Sequence, residues 1–471
     1  MRKLGLLIVM ALLLVVTAVP QAQDEVLPDF IADARTDCEV DLTGEVFNFA
    51  HVGDLSGAYA AITQPIVAAF DDAVAYFNAR GGICGATIVL PDATTIDTGG
   101  DQEQTQIIYD RVSAEDPQLL ILYSSPDSEL LRDTLAEDEI PVLISAGSIP
   151  GLYGETADEP GWIFATNPLY VDQFGHFCEY ASENIESPVI GYLSWQGAFG
   201  EAAFTPEAIA YCESIGVEVI DEPELFSPAA TDISGSVTNL VDAGANILYT
   251  NSLATGPALV AATVTNLGLG DQVQVAGVNW ALDSSVGFLG LQSIGSDGLP
   301  SVNGIIGSLP FVWWSDTDNP GIQVITEQAD LNERPITLRN ITYLIGFLTI
   351  DTYIEIMVQA ANAVGAETAA DVTGAGVYEI IQNMDYNTMN ILPTKFTDDD
   401  GNPIRDAASN RMAVLTYAGA EGGTVLDGQA PFLVDRGDGT MIPIPVVVPL
   451  EDFRNTPDLR PGGADVPMTD G

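Results

Sequence analysis

The stretch FAHVGDLSGAYA, residues 49–60, decides how the chain is read. Its apolar run stops at Gly53, passes through Asp54-Leu55-Ser56-Gly57 and gives way to a long helical pattern. A strand that hands over to a helix through small residues flanked by glycines makes a tight turn. It also sets backbone N–H groups and a hydroxyl at a helix N-terminus, where orphan donors and the helix dipole favour anionic groups. Both roles are open until the turn is placed in a fold.

Working outward, VFNFAHVG (46–53) predicts a strand and ITQPIVAAFDDAVAYFNARGG (62–82) a helix. Ile66, Ala69, Phe70, Ala73, Tyr76 and Phe77 recur at helical spacing, and Gly81-Gly82 closes the pattern. Strands follow at 86–93, 118–123, 140–146 and 161–166, with helices at 101–115 and 127–138 between them. The rhythm then restarts, with strands at 188–194, 216–221, 246–250 and 272–278 separated by helices at 200–215, 232–243 and 256–267, after a helix at 170–185. Strands alternating with 10–15-residue helices imply βαβ units and parallel sheets covered on both faces. Two such series predict an α/β protein of two doubly wound lobes, which suits a chain of 471 residues.

Past 278 the regularity fades. GIIGSLPF (304–311) predicts a strand, while PTKFTDDDGNPIR (393–405) and RMAVLTYAG (411–419) predict a late hairpin with a turn on Asp400-Gly401. The segment 337–364 is apolar enough to raise the question of a membrane span, but Arg339, Asp351 and Glu355 fall inside it, favouring a core helix beneath a sheet. Beyond 450 the chain is rich in Pro, Gly and Asp and is expected to be loose.

At the N-terminus, MRK followed by LGLLIVMALLLVVTAV is the pattern of a signal peptide over 1–23, the alternative being a retained anchor. Acidic residues number 67 against 14 basic ones, two of which, Arg2 and Lys3, precede the apolar run. Such a charge repels nucleic acid and anionic membrane surfaces and excludes both as partners. Four cysteines in an exported chain favour disulfides; clustering suggests Cys38–Cys84 and Cys178–Cys212, with two other connectivities open.

FAHVGDLSGAYA, YFNARGGICGATI, EDEIPVLISAGS, TDISGSVTNLVDAGANILYTN and KFTDDDGNPIR, in this order and at these intervals, resemble the type I periplasmic substrate-binding proteins. Within that group they are similar to the branched-chain amino-acid branch of ABC-transporter receptors, over about residues 45–420. The resemblance implies two α/β lobes joined by three crossovers, near Thr166-Asn167, Gly307–Phe311 and Asn387–Phe396. Residues 45–166 with 309–390 would form one lobe, 167–308 with 391–450 the other, and 451–471 a flexible tail.

Ligands of open α/β sheets sit beyond the carboxyl ends of the strands. Candidates there are Ser56, Tyr59, Ser124, Ser125, Gly147 and Ser148 in the first series, and Trp195, Phe199, Asn251, Ser252, Asn279 and Trp280 in the second. The resemblance implies that Ser124 or Ser125 and the SAGS turn hold a ligand carboxylate, with Phe199 as a packing wall. Two positions depart from its pattern. Where amino-acid binders carry a threonine and an acidic residue for the ligand ammonium, this chain has Ile149 and Asn279. An ammonium would then be buried without its counter-charge, which is costly, so amides and small carboxylates are candidates beside amino acids.

No G-x-S-x-G elbow, Walker loop or H-E-x-x-H stands in the sequence, and His51 and His176 are its only histidines. The sequence therefore predicts a non-enzymatic, exported receptor, monomeric, with no cofactor and no metal. Its partners would be a small-molecule ligand and the permease and ATPase subunits of an ABC importer. The alternatives are a sensor of the same fold acting with a receptor kinase, and a cleft hydrolase.

Overall fold

The strand predicted over 46–53 forms, interrupted at Phe49: Val46–Asn48 pairs with Thr87–Val89, and Ala50–Gly53 enters the first sheet. The computed structural model describes residues 26–92, 95–296, 298–398, 400–417, 433–435, 441–443 and 445–467, so the predicted signal peptide lies outside the described residues. The first sheet is wholly parallel, in the order Thr95–Asp97, Ala50–Gly53, Leu120–Ile121, Val142–Ile144, Ile163–Ala165. Its three inner strands and the edge strand Ile163–Ala165 bury every residue, the continuous apolar pattern that a sheet covered on both faces requires.

The second sheet runs Glu224–Phe226, Val189–Trp195, Ile247–Thr250, Gln274–Gly277, Ile305–Ser308, Met412–Thr416, Val446–Pro449. It is parallel up to Ile305–Ser308; the last two strands are antiparallel. The late hairpin of the sequence is thus not made. Met412–Thr416 pairs instead with Ile305–Ser308, and Leu392–Lys395 folds back on Asp385–Thr388. The physical reason is the turn between them, where Met389 and Asn390 both take positive φ and join the two strands directly. The turn expected on Asp400-Gly401 does form, with Gly401 at φ 82° and the Asp398 carboxylate accepting the N–H groups of Asp400 and Asn402.

The apolar segment is the helix Ile341–Val364, capped by the Asn340 side chain and ended by Gly365 in the left-handed conformation. It is long and apolar enough to cross a membrane, yet its most apolar stretch is buried inside the protein. It packs on the helix Ala60–Asn78 so closely that a Cβ on Gly346 would fall 2.5 Å from that of Ala69. Its acids find partners in the segment before the first strand, a charge for Asp351 and hydrogen bonds for Glu355. Arg35 pairs with Asp351, and the Thr36 N–H donates to Glu355 at 3.0 Å. The same segment is tied down by the Cys38–Cys84 disulfide; Cys178–Cys212 joins the helices Tyr170–Asn184 and Pro206–Ser214.

Three chain segments pass between the two sheets. The first leaves Ile163–Ala165, the second leaves Ile305–Ser308, and the third runs through 405–411. They lie side by side: the Ala165 N–H donates to the Arg405 carbonyl at 2.7 Å, Ala407 to Ala165 at 3.0 Å, and Leu309 to Arg411 at 2.7 Å. Of the tail expected to be loose beyond 450, the described residues 451–467 include a docked stretch. Arg454–Asn455 pairs with Ser409–Asn410, Leu459 is fully buried and donates its N–H to Asp172 at 2.8 Å, and Arg460 lies over the Tyr153 ring. Its Pro, Gly and Asp content conceals one apolar anchor, Leu459, packed against Gly175.

Candidate functional site

The opening turn sits at the carboxyl end of Ala50–Gly53, with Gly53 required by the Tyr123 ring, 2.0 Å from where a Cβ would stand. Its backbone donors are not free. The buried Asp54 carboxylate accepts the N–H groups of Ser56 at 3.1 Å, Tyr59 at 2.9 Å, and Gly57. Asp97 accepts those of Leu55 at 2.7 Å and Gly99 at 2.8 Å. Burial raises Asp97, but the bonds from Ser56, Gly99 and Leu55 outweigh it and hold the group below its ordinary pKa. The donors offered by the sequence to an external anion are thus taken by the chain's own carboxylates, and Ser56 is left on the surface. Tyr59 does reach the second lobe, its ring 6.2 Å from that of Phe199.

Ser124 caps the helix Ser125–Glu137. Its hydroxyl donates to Asp127 Oδ2 at 2.6 Å, and Thr105 donates to Oδ1 at 2.9 Å. Ser148 donates to Glu129 Oε1 at 2.6 Å. Burial pushes the Asp127 carboxyl up; the two hydroxyls pull it back and neighbouring Asp54 adds to the rise. Glu129 is raised in the same way, by burial first, with Ser148 opposing and Glu155 adding. The Ser125 hydroxyl is buried without a hydrogen-bond partner, and the Gly147 carbonyl accepts the Tyr170 N–H at 3.3 Å.

From the second sheet, Trp195 ends its strand with Phe199 6.1 Å away, and Phe199 meets the edge of Tyr170 at 5.1 Å. Trp280 donates its Nε1–H to the Tyr170 hydroxyl at 3.1 Å. The Asn251 amide donates to the Phe199 carbonyl at 2.7 Å, and the Ser252 and Thr250 hydroxyls bond each other at 2.6 Å. The Asn279 backbone N–H donates to Gln173 at 3.0 Å. Five buried side-chain atoms of this strand-end set have no partner: Ser125 Oγ, Trp195 Nε1, Asn251 Oδ1 and both Nδ2 and Oδ1 of Asn279. Buried polar atoms are paired in the great majority of cases, and further orphans stand elsewhere among the described residues, at His51, Tyr249 and Tyr353.

Through Phe199 and Tyr170 the structure links Tyr59, Gly147, Trp195, Asn251 and Trp280; Ser124 and Ser148 bond to acids of their own lobe, and Ser56 lies on the surface. Sequence reasoning missed Tyr170, which joins Phe199 to Trp280, and Gln173, which orients the Asn279 backbone. Their signal was position: both follow the first crossover directly. A small cavity of about 20 Å³, room for one water, lies beside Trp280 and Ser145. A larger one, about 600 Å³, is lined by Asp172, Asp406, Lys395 and Arg460 and includes none of the strand-end residues.

A family model described as periplasmic binding protein matches residues 47–418. No curated protein matches in sequence. Among solved structures, the chain is similar to a branched-chain amino acid ABC transporter protein from Thermus thermophilus with bound valine, at 18% identity and a TM-score of 0.67, covering 83% of this chain and 97% of that one. It is also similar to a solute-binding protein from R. palustris in complex with 4-hydroxybenzoate, at 16% identity and TM-score 0.64, covering 88% and 98%. A fatty acid substrate-binding protein from Thermomonospora curvata matches at 18% identity and TM-score 0.62, covering 93% and 98%.

Proposed function

The chain belongs to the periplasmic binding protein family, and from that premise we propose that it is an exported receptor that captures one small solute between two lobes and delivers it unaltered to an ABC importer in the membrane. The observation that carries this is the set of five orphaned polar atoms at the meeting strand ends. They are hydrated when the lobes part and need a ligand when the lobes close. The three crossovers, hydrogen-bonded side by side, supply the bend about which closure turns. The solutes of the similar structures, an amino acid, an aromatic acid and a fatty acid, differ widely, so the site residues and not the fold decide the ligand.

Native mass spectrometry and solution scattering test the proposal. The protein incubated with extract of its host should carry one non-covalent small molecule per chain and contract relative to the stripped protein. Release of a chemically changed solute over many turnovers would refute it.

A further inference from the structure

Of the three serine hydroxyls that the resemblance offers to a ligand carboxylate, those of Ser124 and Ser148 are committed elsewhere and that of Ser125 is unpartnered. Ser124 gives its proton to Asp127 and Ser148 gives its proton to Glu129. A hydroxyl whose hydrogen is so used faces any third group with lone pairs alone. Behind these acceptors stand the acids themselves, and the charges that bear on them are further carboxylates, Asp54 on Asp127 and Glu155 on Glu129. The backbone donors of the neighbouring turn are taken by Asp54 and Asp97. Apart from the unpartnered Ser125 hydroxyl, which can donate or accept, the first-sheet end of the cleft is thus rich in acceptors and negative charge. The second-sheet end offers free donors, Trp195 Nε1 and Asn279 Nδ2, beside the free acceptors Asn251 Oδ1 and Asn279 Oδ1. Aromatic rings at Tyr59, Phe199 and Tyr170 line the meeting point.

We infer that the ligand group held at the first-sheet end is an N–H donor, an ammonium or a primary amide, and that this end rejects carboxylates; the inference rests on the receptor reading above. A carboxylate there would meet lone pairs and like charge, with its hydration removed on closure. An ammonium would meet two hydroxyl acceptors backed by acids and aromatic faces, both favourable to a cation. A neutral amide would use its N–H groups on the same acceptors and its carbonyl on the second-sheet donors. The absence of an acid at position 279 is then no obstacle to a cation, because the counter-charge lies on the other lobe.

Two isosteric series test this by thermal shift and calorimetry at constant ionic strength: benzoate, benzamide and benzylamine; isovalerate, isovaleramide and isoamylamine. The amide or amine of at least one series should raise the melting temperature, while its carboxylate leaves it unchanged. In the Asp127→Asn/Glu129→Gln double variant, which keeps an acceptor oxygen for each serine, the preference for amine over carboxylate should fall by at least about tenfold, the scale of one buried and one half-buried charge. Should that variant not fold, Glu129→Gln alone, at a half-buried position, gives the same readout. A carboxylate that binds the native protein as tightly as its amide overturns the inference, as does a preference unchanged in the variant. Binding by none of the six compounds overturns it too, while the one-solute count on the extract-loaded protein separately decides the receptor reading.

Discussion

The helix Ile341–Val364 is buried inside the protein with its Asp351 charge answered from the N-terminal segment, and Arg35→Leu measures how much that answer is worth. Asp351 is fully buried and Arg35 nearly so, with the guanidinium also 5.0 Å above the Phe77 ring. Removing Arg35 leaves Asp351 with the Tyr386 hydroxyl at 2.8 Å and the Met389 N–H at 3.1 Å but no opposite charge. Breaking a buried pair on one side costs about 3–5 kcal/mol. At roughly 2–4 °C per kcal/mol for a lobe-sized unit, the melting temperature falls by roughly 6–20 °C. The loss must depend on pH. Burial already raises Asp351 above the ordinary carboxylate range, and Arg35 is the main influence holding it down. Without Arg35 the folded-state pKa rises further. A carboxyl with a raised folded pKa is neutral at little cost in acid, and it destabilises progressively as pH climbs from its unfolded value towards its folded one. The gap between native protein and variant should therefore be small near pH 4.5 and widen by up to about 1.4 kcal/mol per pH unit until it levels off. Urea unfolding at several pH values measures it. The double variant Arg35→Leu/Asp351→Asn should recover at least half of the loss at pH 7.5. A gap under 1 kcal/mol at that pH, a gap independent of pH, or a double variant no better than Arg35→Leu would refute the reasoning.

Asn279→Ala should leave the apo melting temperature unchanged or raise it, since both side-chain polar atoms are orphaned, yet weaken solute binding by about tenfold or more in calorimetry. His51 lies among Phe49, Phe70 and Tyr123 with neither ring nitrogen bonded, and burial depresses its pKa to about 3. Between pH 6.5 and 3 the unfolded chain binds a proton that the folded one does not, so stability should fall with acidity by up to about 1.4 kcal/mol per unit, a slope that His51→Phe removes in urea titrations. Reducing Cys178–Cys212, which closes a separation of 34 residues, should cost roughly 4 kcal/mol in denaturant midpoint analysis. Gly346→Val should destabilise by about 1–3 kcal/mol or more, because its Cβ would meet Ala69 at 2.5 Å.

Much of this architecture was legible because parallel sheets write themselves as buried apolar runs between amphipathic helices. Val142–Ile144 and Ile247–Thr250 are buried at every position and were placed within a residue or two. The antiparallel end of the second sheet was not legible. Met412–Thr416 pairs with a strand more than a hundred residues earlier, and nothing local in RMAVLTYAG names that partner. Leu459 was hidden for a related reason: one buried side chain in a polar segment leaves no periodicity. At the site, strand-end position was legible because topology fixes which residues stand at the carboxyl ends of the strands. It could not show that Asp54, three positions before Gly57, would consume the turn's donors, because a carboxylate near a helix start reads equally as a solvated charge.

The orphaned atoms also explain why closure should wait for a ligand. Each buried group without a partner costs about 1–3 kcal/mol, and five such atoms stand on residues at the strand ends of the two sheets. On the receptor reading, parting the lobes would return these atoms to water and bend the crossovers, which are hydrogen-bonded to one another. A solute that bonds three or four of the five atoms removes much of that penalty in the closed state and none in the open one. That difference is what shifts a population: about 5.5 kcal/mol of it turns a one-per-cent closed form into the dominant one. The docked tail touches both sides of the bend, through Leu459 to Asp172 and through Arg460 to Tyr153. It can follow closure only if one of those contacts yields, so Arg460→Ala should change the rate of closing, read by Trp195 and Trp280 fluorescence, more than it changes the affinity for solute. An affinity loss with no change in that rate would place Arg460 in the stability of the closed state instead.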